Sequence, residues 1–261
     1  MDSNELPEFF YEIFDSSLPR LNPGDEASTL RALNLVRSAP SGGKGDAALR
    51  FRRILDLGCG CGGQTLTLAR HTEGPILALD NHQAYLDELC RRAQAAGLSE
   101  RIQVVLNDMR SLTKDDGPFD LIWSEGVLFI VGLREGLTTC HSLLTPGGGL
   151  AVSELCWLQP DPPAECRGFF SEVFPAMTDV ETAMGIIRAC GYEPIGHFIV
   201  PESAWWTSYY HPLEERLRML RKRHAANAEN LSMIEAIQKE IDIFRRYSAC
   251  YGSVFFVMRR R

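Results

Sequence analysis

The stretch Ile54 to Thr65, ILDLGCGCGGQT, decides the fold. A short apolar run stops beside an acid, Asp56, and four glycines fall within the six positions from Gly58 to Gly63. With the preceding arginines, "RRILDLG" reads as a buried parallel strand. Bare backbone then turns the chain into a helix from Gln64 to His71. Working outward, "PILALD" is a second strand ending on Asp80. The segment Gln83 to Ala96 is helical, with Gly97 at the expected C-terminal stop. "RIQVVLND" is a third strand, "FDLIWSE" a fourth, and "GLAVSELCWL" a fifth after the turn "TPGGG". Short apolar strands separated by helices predict a doubly wound α/β core: a mostly parallel sheet covered by helices on both faces.

Beyond the fifth strand, "TDVETAMGIIRACGY" places Thr178 and Glu181 at capping-box spacing before an apolar stripe that ends at Gly191. "EPIGHFIVP" and "YGSVFFVMRR" read as two further strands. Between them, Leu213, Leu217 and Leu220 keep helical spacing, as do Leu231, Ile234, Ile237, Ile241 and Phe244. This predicts a helical insertion over about 205–247. Residues 1–50 also look helical, in "LPEFFYEIFDSSL" and "DEASTLRALNLVRSA". They join the core of residues 51–261 through the polar link "SGGKGDAALR", expected to be mobile.

The 261 residues are 45% apolar and 23% charged, an ordinary globular composition. No apolar run reaches the roughly 20 residues of a membrane helix, and the acidic N-terminus lacks the basic start of a secretory signal. The expectation is a cytoplasmic protein with no membrane partner. A net charge of −7 argues against a nucleic-acid-binding surface. Eight cysteines include no CxxC pair, so no metal site is predicted.

Two ligands compete for the glycine loop. A dinucleotide fingerprint runs its strand straight into the first glycine. Here the strand ends on Asp56, which would repel a pyrophosphate. S-adenosylmethionine instead carries an ammonium and a sulfonium that favour carboxylates. Its methionine carboxylate suits N–H groups near a helix N-terminus, and the glycines keep Cβ atoms off its path.

With these residues in view, the sequence resembles the class I S-adenosylmethionine-dependent methyltransferases. Asp80 stands 24 residues after Asp56, where the family places an acid for the ribose hydroxyls. "NDM", Asn107 to Met109, stands where it packs the adenine, and "FDLIWSEG" and "LLTPGGGLAVSE" match its fourth and fifth strands. The resemblance implies a Rossmann-like seven-stranded sheet with the last strand antiparallel. It also implies S-adenosylmethionine as cofactor and S-adenosylhomocysteine as product. The cofactor residues it implies are Asp56, Gly58, Cys59, Gly60, Gly62, Gln64, Asp80, Asn81, Asn107, Asp108, Met109, Ser124 and Glu125. The pattern is closest to the small-molecule, quinone-biosynthesis-like branch, in which an N-terminal helical segment caps the cofactor. Arg20 to Leu33 would take that part.

For the methyl acceptor, candidates lie just past the strand ends. "SEGVLF" lacks the Asn/Asp-Pro-Pro-Tyr/Phe motif of family members acting on exocyclic or amide nitrogens, which argues against DNA or glutamine methylation; the dense aromatics after the sixth strand and the resemblance to the small-molecule branch imply a small-molecule acceptor. Glu125 either orients or deprotonates it, or holds a neighbouring backbone. His211 is the better histidine base, because His197 reads as a core residue inside a strand. Phe129, Trp157, Trp205, Trp206 and Tyr209 read as pocket walls, or alternatively as a hydrophobic junction for the inserted helices. Those helices would form a second lid or a homodimer surface. "RMLRKRH" among them is either a solvated face or a contact for an anionic substrate. Two rival functions stand beside this one: thiol or metalloid methylation using Cys156, Cys166 or Cys250, and a non-catalytic S-adenosylmethionine-binding module.

Overall fold

The computed structural model describes residues 6–38 and 51–261; the link "SGGKGDAALR" lies outside the described residues. The strands are β1 (Ile54–Leu57), β2 (Ile76–Asp80), β3 (Ile102–Leu106), β4 (Phe119–Glu125), β5 (Leu144–Trp157), β6 (Thr178–Asp179), β7 (Tyr192–Ile199) and β8 (Tyr251–Arg260). They form one sheet in the order β3-β2-β1-β4-β5-β8-β7, with β6 paired to β5 beside that path. Every ladder is parallel except those of β8, which runs antiparallel to both β5 and β7. The expected seven strands are present, and the two-residue β6 makes an eighth.

The helices are α1 (Glu8–Ile13), α2 (Glu26–Ser38), α3 (Gly63–His71), α4 (Gln83–Ala95), α5 (Leu133–Leu143), α6 (Ala164–Val173) and α7 (Val180–Ala189). Side chains alternate across the sheet. Ile54, Leu121, Trp123, Ala151 and Phe255 pack with α2 and α3 on one face. Leu55, Ile122, Val152, Val254 and Phe256 pack with Leu137 of α5 and Ile187 of α7 on the other. Burial on both faces explains why β8 is apolar almost without interruption.

Two local expectations are revised. The turn "TPGGG" lies inside β5: Phe119 pairs with Leu144 and Leu121 with Gly149, so residues 145–148 bulge out between the pairs. The start of α7 is also one residue later than the capping-box spacing suggests. Thr178 is drawn into β6 against Cys156, and Asp179 becomes the N-cap, accepting from the Thr182 amide at 2.8 Å.

The insertion begins with α8 (Glu202–Trp205), passes through a π-turn at Trp206–Tyr210 into α9 (His211–Arg223), and returns along α10 (Ala228–Tyr247). Leu213, Leu217, Leu220, Ile234, Ile241 and Phe244 are buried as the spacing predicts. The aromatic run ahead of them is core rather than an open mouth. Trp205 stacks on Phe244 at 4.2 Å, Tyr210 lies 5.3 Å from that ring, and Trp205 and Tyr209 are both buried. This corrects the reading of Trp205 and Tyr209 as walls of an open pocket: rings of that size hold the inserted helices to the sheet. Trp206 sits further out, its indole N–H donating to Glu202. Phe244 is the common contact, so Phe244→Ala should cost about 3–5 kcal/mol of stability, read as a lowered urea midpoint.

Candidate active site

The β1 loop is closed by backbone bonds to β2. The amides of Gly58 and Cys59 both donate to the Leu79 carbonyl, at 2.8 and 2.9 Å. One residue on, the Gly60 amide donates to Asp80 Oδ2 at 2.9 Å. The other carboxyl oxygen of Asp80 accepts from the His82 amide, and the Asp80 carbonyl accepts from Asn107. Asp80 therefore knits together the loops after β1, β2 and β3. Burial raises its pKa, against the lowering effect of these backbone donors.

The glycines divide by role. A Cβ on Gly58 would meet Val127 at 2.6 Å, and one on Gly62 would meet Leu89 at 2.1 Å, so these two serve close packing. A Cβ on Gly60 would point at Leu21, whose Cδ1 is 3.2 Å away. Gly60 alone of the three opens toward the N-terminal segment. Cys59 is buried beneath the loop, and α3 begins at Gly63 with its first amides turned to the same end of the sheet.

Asp56 lies deeper than expected. It is fully buried, and its oxygens accept from Thr65 at 2.5 Å and Gln64 at 3.3 Å. The expected direct contact with a ligand ammonium is corrected: Asp56 and Gln64 brace the first turn of α3 from below. Burial pushes the Asp56 carboxyl up to about 7, and the nearby Glu125 and Asp80 add to the rise.

Past β3, Asn107 accepts from the Asp108 amide and the Ser111 hydroxyl, and Asp108 caps the following turn through the Arg110 amide. Met109 lines a cavity of about 380 Å³ with Leu57, Leu128, Val131 and Gly136. Asn81 is exposed on the loop after β2. Ser124 is buried, its hydroxyl donating to the Leu57 carbonyl, which ties β4 to β1. Phe129 is 50% exposed and packs edge-on against Phe174 at 5.5 Å.

The N-terminal segment lies over this loop. Arg20 Nη1 and Glu125 Oε2 are 2.7 Å apart, with side chains only 7% and 1% exposed. The remaining Glu125 oxygen accepts from the Thr29 hydroxyl and the Trp123 indole N–H, each at 2.8 Å. The Asn22 side-chain amide donates to the Glu125 carbonyl. Three donors hold the carboxylate and a fourth holds the backbone carbonyl, so the side chain is fixed in place and paired with a cation. The Glu125 carboxylate anchors the side chains of Arg20, Thr29 and Trp123, a contact set that neither expected role describes. Arg20, Asn22 and Thr29 are the residues sequence reasoning missed in this role. The available signal was a fully buried acid closing an apolar strand, which requires a counter-charge.

The segment is held from two further sides. Tyr11 stacks on His82 at 3.9 Å, and Tyr85 donates to the Phe14 carbonyl. From the insertion, Arg216 donates to the Glu12 carbonyl and pairs with Asp15, while Arg223 pairs with the Glu12 carboxylate. The basic stretch "RMLRKRH" thus spends Arg223 and His224 on α1. His211 is exposed at the start of α9 against Trp206. His197 is exposed on β7, not in the core.

Cys156, Cys166 and Cys250 are buried free thiols. Burial pushes the first up to about 12 and the second to about 11, which disfavours thiolates there. No cluster able to hold a metal occurs among the described residues, and no helix among them is long and apolar enough to cross a membrane.

Residues 54–148 match a family model described as a methyltransferase domain. The sterol 24-C-methyltransferase of Aspergillus fumigatus is 28% identical over 110 residues, 42% of this chain and 29% of that protein. The Saccharomyces cerevisiae sterol 24-C-methyltransferase is 25% identical over 170 residues, 61% of this chain and 44% of that protein. The chain thus spans less than half the length of these relatives. A methyltransferase from Geobacter sulfurreducens, solved with S-adenosyl-L-homocysteine, superposes with TM-score 0.80 at 19% identity, covering 98% of this chain and 99% of that one. YjhP of E. coli superposes with TM-score 0.79 at 21% identity, covering 98% and 100%. The fold is therefore the Rossmann-like fold of class I methyltransferases.

Arg20→Ala would leave Glu125 buried without its counter-charge and should cost about 3–5 kcal/mol, seen in chemical denaturation. For Asp56, the folded value of about 7 lies above the ordinary 3.8. Between the two, the folded protein holds a proton that the unfolded chain has released, so this residue's contribution to stability falls as pH rises. Relative to Asp56→Asn, the wild type should lose stability across that window in parallel urea titrations. Equal slopes would contradict the burial assignment.

Proposed function

We propose that this chain, which carries a methyltransferase domain on the class I fold, is an S-adenosylmethionine-dependent methyltransferase acting on a small-molecule acceptor. The observation that carries the proposal is Asp80. Its carboxylate stands at the junction of three strand-end loops, bonded on one side to Gly60, a glycine of the loop that opens toward Leu21 of the N-terminal segment. A carboxylate offers about four acceptor sites, so capacity remains for the two hydroxyls of a ribose.

The residues fit that cofactor. The cavity lined by Leu57, Met109 and Leu128 has apolar walls suited to an adenine, with Arg110 and Glu135 also lining it; Asn107 and Asp108 precede Met109 on the same loop. The first amides of α3 suit the methionine carboxylate, and Asp80 is the carboxylate of the loop junction not neutralised by an arginine. Gly58, Cys59, Gly62 and Gln64 act by shaping the loop, Asn81 borders the ribose side, and Ser124 fixes β4 against β1. Bound there, the cofactor supplies an electrophilic methyl on a sulfonium. The protein aligns the acceptor and excludes water, the second task falling to Arg20 to Leu33 as cap. No general base is assigned: the Glu125 carboxylate is paired with Arg20 and held by Thr29 and Trp123.

The sterol methyltransferases among the relatives support a small-molecule acceptor, and the buried thiols speak against cysteine-borne methylation. A binding module without turnover is separated from the enzyme by assaying S-adenosylhomocysteine release across an acceptor panel. Asp80→Ala should weaken S-adenosylmethionine binding by about 1–3 kcal/mol in calorimetry, and an unchanged dissociation constant would refute the placement.

A further inference from the structure

Two uncharged runs meet beside the crevice. Residues Gly126 to Leu133, GVLFIVGL, follow β4, and Val173 to Met177, VFPAM, close α6 and leave it. They are joined where Phe129 packs edge-on against Phe174 at 5.5 Å. Phe129, Ile130 and Val173 are 50%, 47% and 57% exposed, three of the seven large apolar side chains left open among the described residues. The other four, Leu6, Leu106, Ile199 and Met219, fall one each ahead of α1 and on β3, β7 and α9. Apolar residues exposed singly are ordinary, whereas neighbouring ones mark a contact surface.

The patch is continuous with the cavity of about 380 Å³. Ile130 belongs to both: it lines that cavity beside Leu128 and Val131, yet stays about half exposed. The other flank of the same turn meets the cap, where a Cβ on Gly126 would reach the Asn22 side chain at 3.0 Å. The rim therefore lies between the cavity, the cap and the end of α6, just past the end of β4. Ligands of open α/β sheets lie beyond the carboxyl ends of the strands, so this is where an acceptor must approach. Ligand clefts span roughly 300–1,000 Å³. The cavity stands at the small end of that range, and an adenine within it leaves the acceptor to the rim.

Neither run contains a lysine, an arginine or an acid, so the side chains offered there recognise hydrocarbon and not charge. We infer that Phe129, Ile130 and Val173 hold the hydrocarbon part of a lipophilic methyl acceptor, one with an extended alkyl, isoprenoid or ring skeleton. The inference rests on the methyltransferase reading above and narrows its acceptor from small molecules in general to apolar ones. A second copy of the chain is the rival occupant. Half of one aromatic and two aliphatic side chains offers on the order of a few hundred Å², well under the roughly 800 Å² per partner of a stable dimer.

The test titrates the full chain, saturated with S-adenosylhomocysteine, with hexyl and octyl β-glucoside below their micelle concentrations. Binding is followed by ligand-observed NMR. Each buried CH₂ tightens binding about fourfold, so the octyl compound should bind at least about tenfold more tightly than the hexyl. In the double variant Phe129→Ser, Val173→Ser that ratio should fall to about threefold or less, and Val173→Ser alone should lower it partway. Both positions are exposed, and a urea midpoint matching the wild type checks each fold. Equal affinities in the wild type, or a ratio unchanged in the folded variants, would overturn the inference. So would a wild-type dimer in sedimentation that the double variant converts to monomer. S-adenosylhomocysteine is titrated alone first. Its failure to bind would remove the methyltransferase reading and the acceptor assignment with it; its binding without any chain-length preference would remove the lipophilic site alone.

Discussion

The arrangement depends on one buried ion pair. Arg20 and Glu125 are 105 positions apart in the chain and meet at 2.7 Å, where the N-terminal segment crosses the end of β4. A buried pair is a weak source of net stability, but breaking it is expensive because it leaves an uncompensated charge. Its value here is positional. It fixes Leu21 above Gly60 and Asn22 above Gly126, so the segment that closes the crevice is set by the strand that forms its floor. Thr29 and Trp123 satisfy the second carboxylate oxygen, and the pair has little freedom to rearrange.

The same economy governs the insertion. α9 and α10 are amphipathic, and their apolar faces are anchored by Trp205, Tyr210 and Phe244. Their polar residues reach across to α1: Arg216 and Arg223 both contact Glu12. Cap and insertion thus form one continuous cover. A change in either should be felt through the other, while the sheet below supplies the rigid base.

Much of the fold was legible because the core obeys local rules. β4 and β8 match the predicted "FDLIWSE" and "YGSVFFVMRR" residue for residue, since strands buried on both faces concentrate apolar and β-branched residues in a short run. Gly97 and Gly191 stop their helices with positive φ, as predicted. The start of α7 was misplaced by one residue because a long-range pairing, Thr178 with Cys156, outranked a local cap. The site was legible only in part. Asp80 and Gly60 carried a recognisable spacing, and their contact follows from the loop. The roles of Glu125, Asp56 and His211 did not follow, because each depends on what packs against it. Glu125 is taken by Arg20, Asp56 by Thr65 and Gln64, and His211 packs on Trp206. Dense aromatics likewise read equally well as pocket or as core, and only the stacking partners separate the two.

The central claim is that this crevice takes a sulfonium nucleoside, not a diphosphate. Calorimetric titration of the full chain with S-adenosylhomocysteine and, separately, with NAD tests it most directly. The account predicts one equivalent of S-adenosylhomocysteine bound and no heat of binding from NAD. Saturable binding of NAD, with none of S-adenosylhomocysteine, would contradict it.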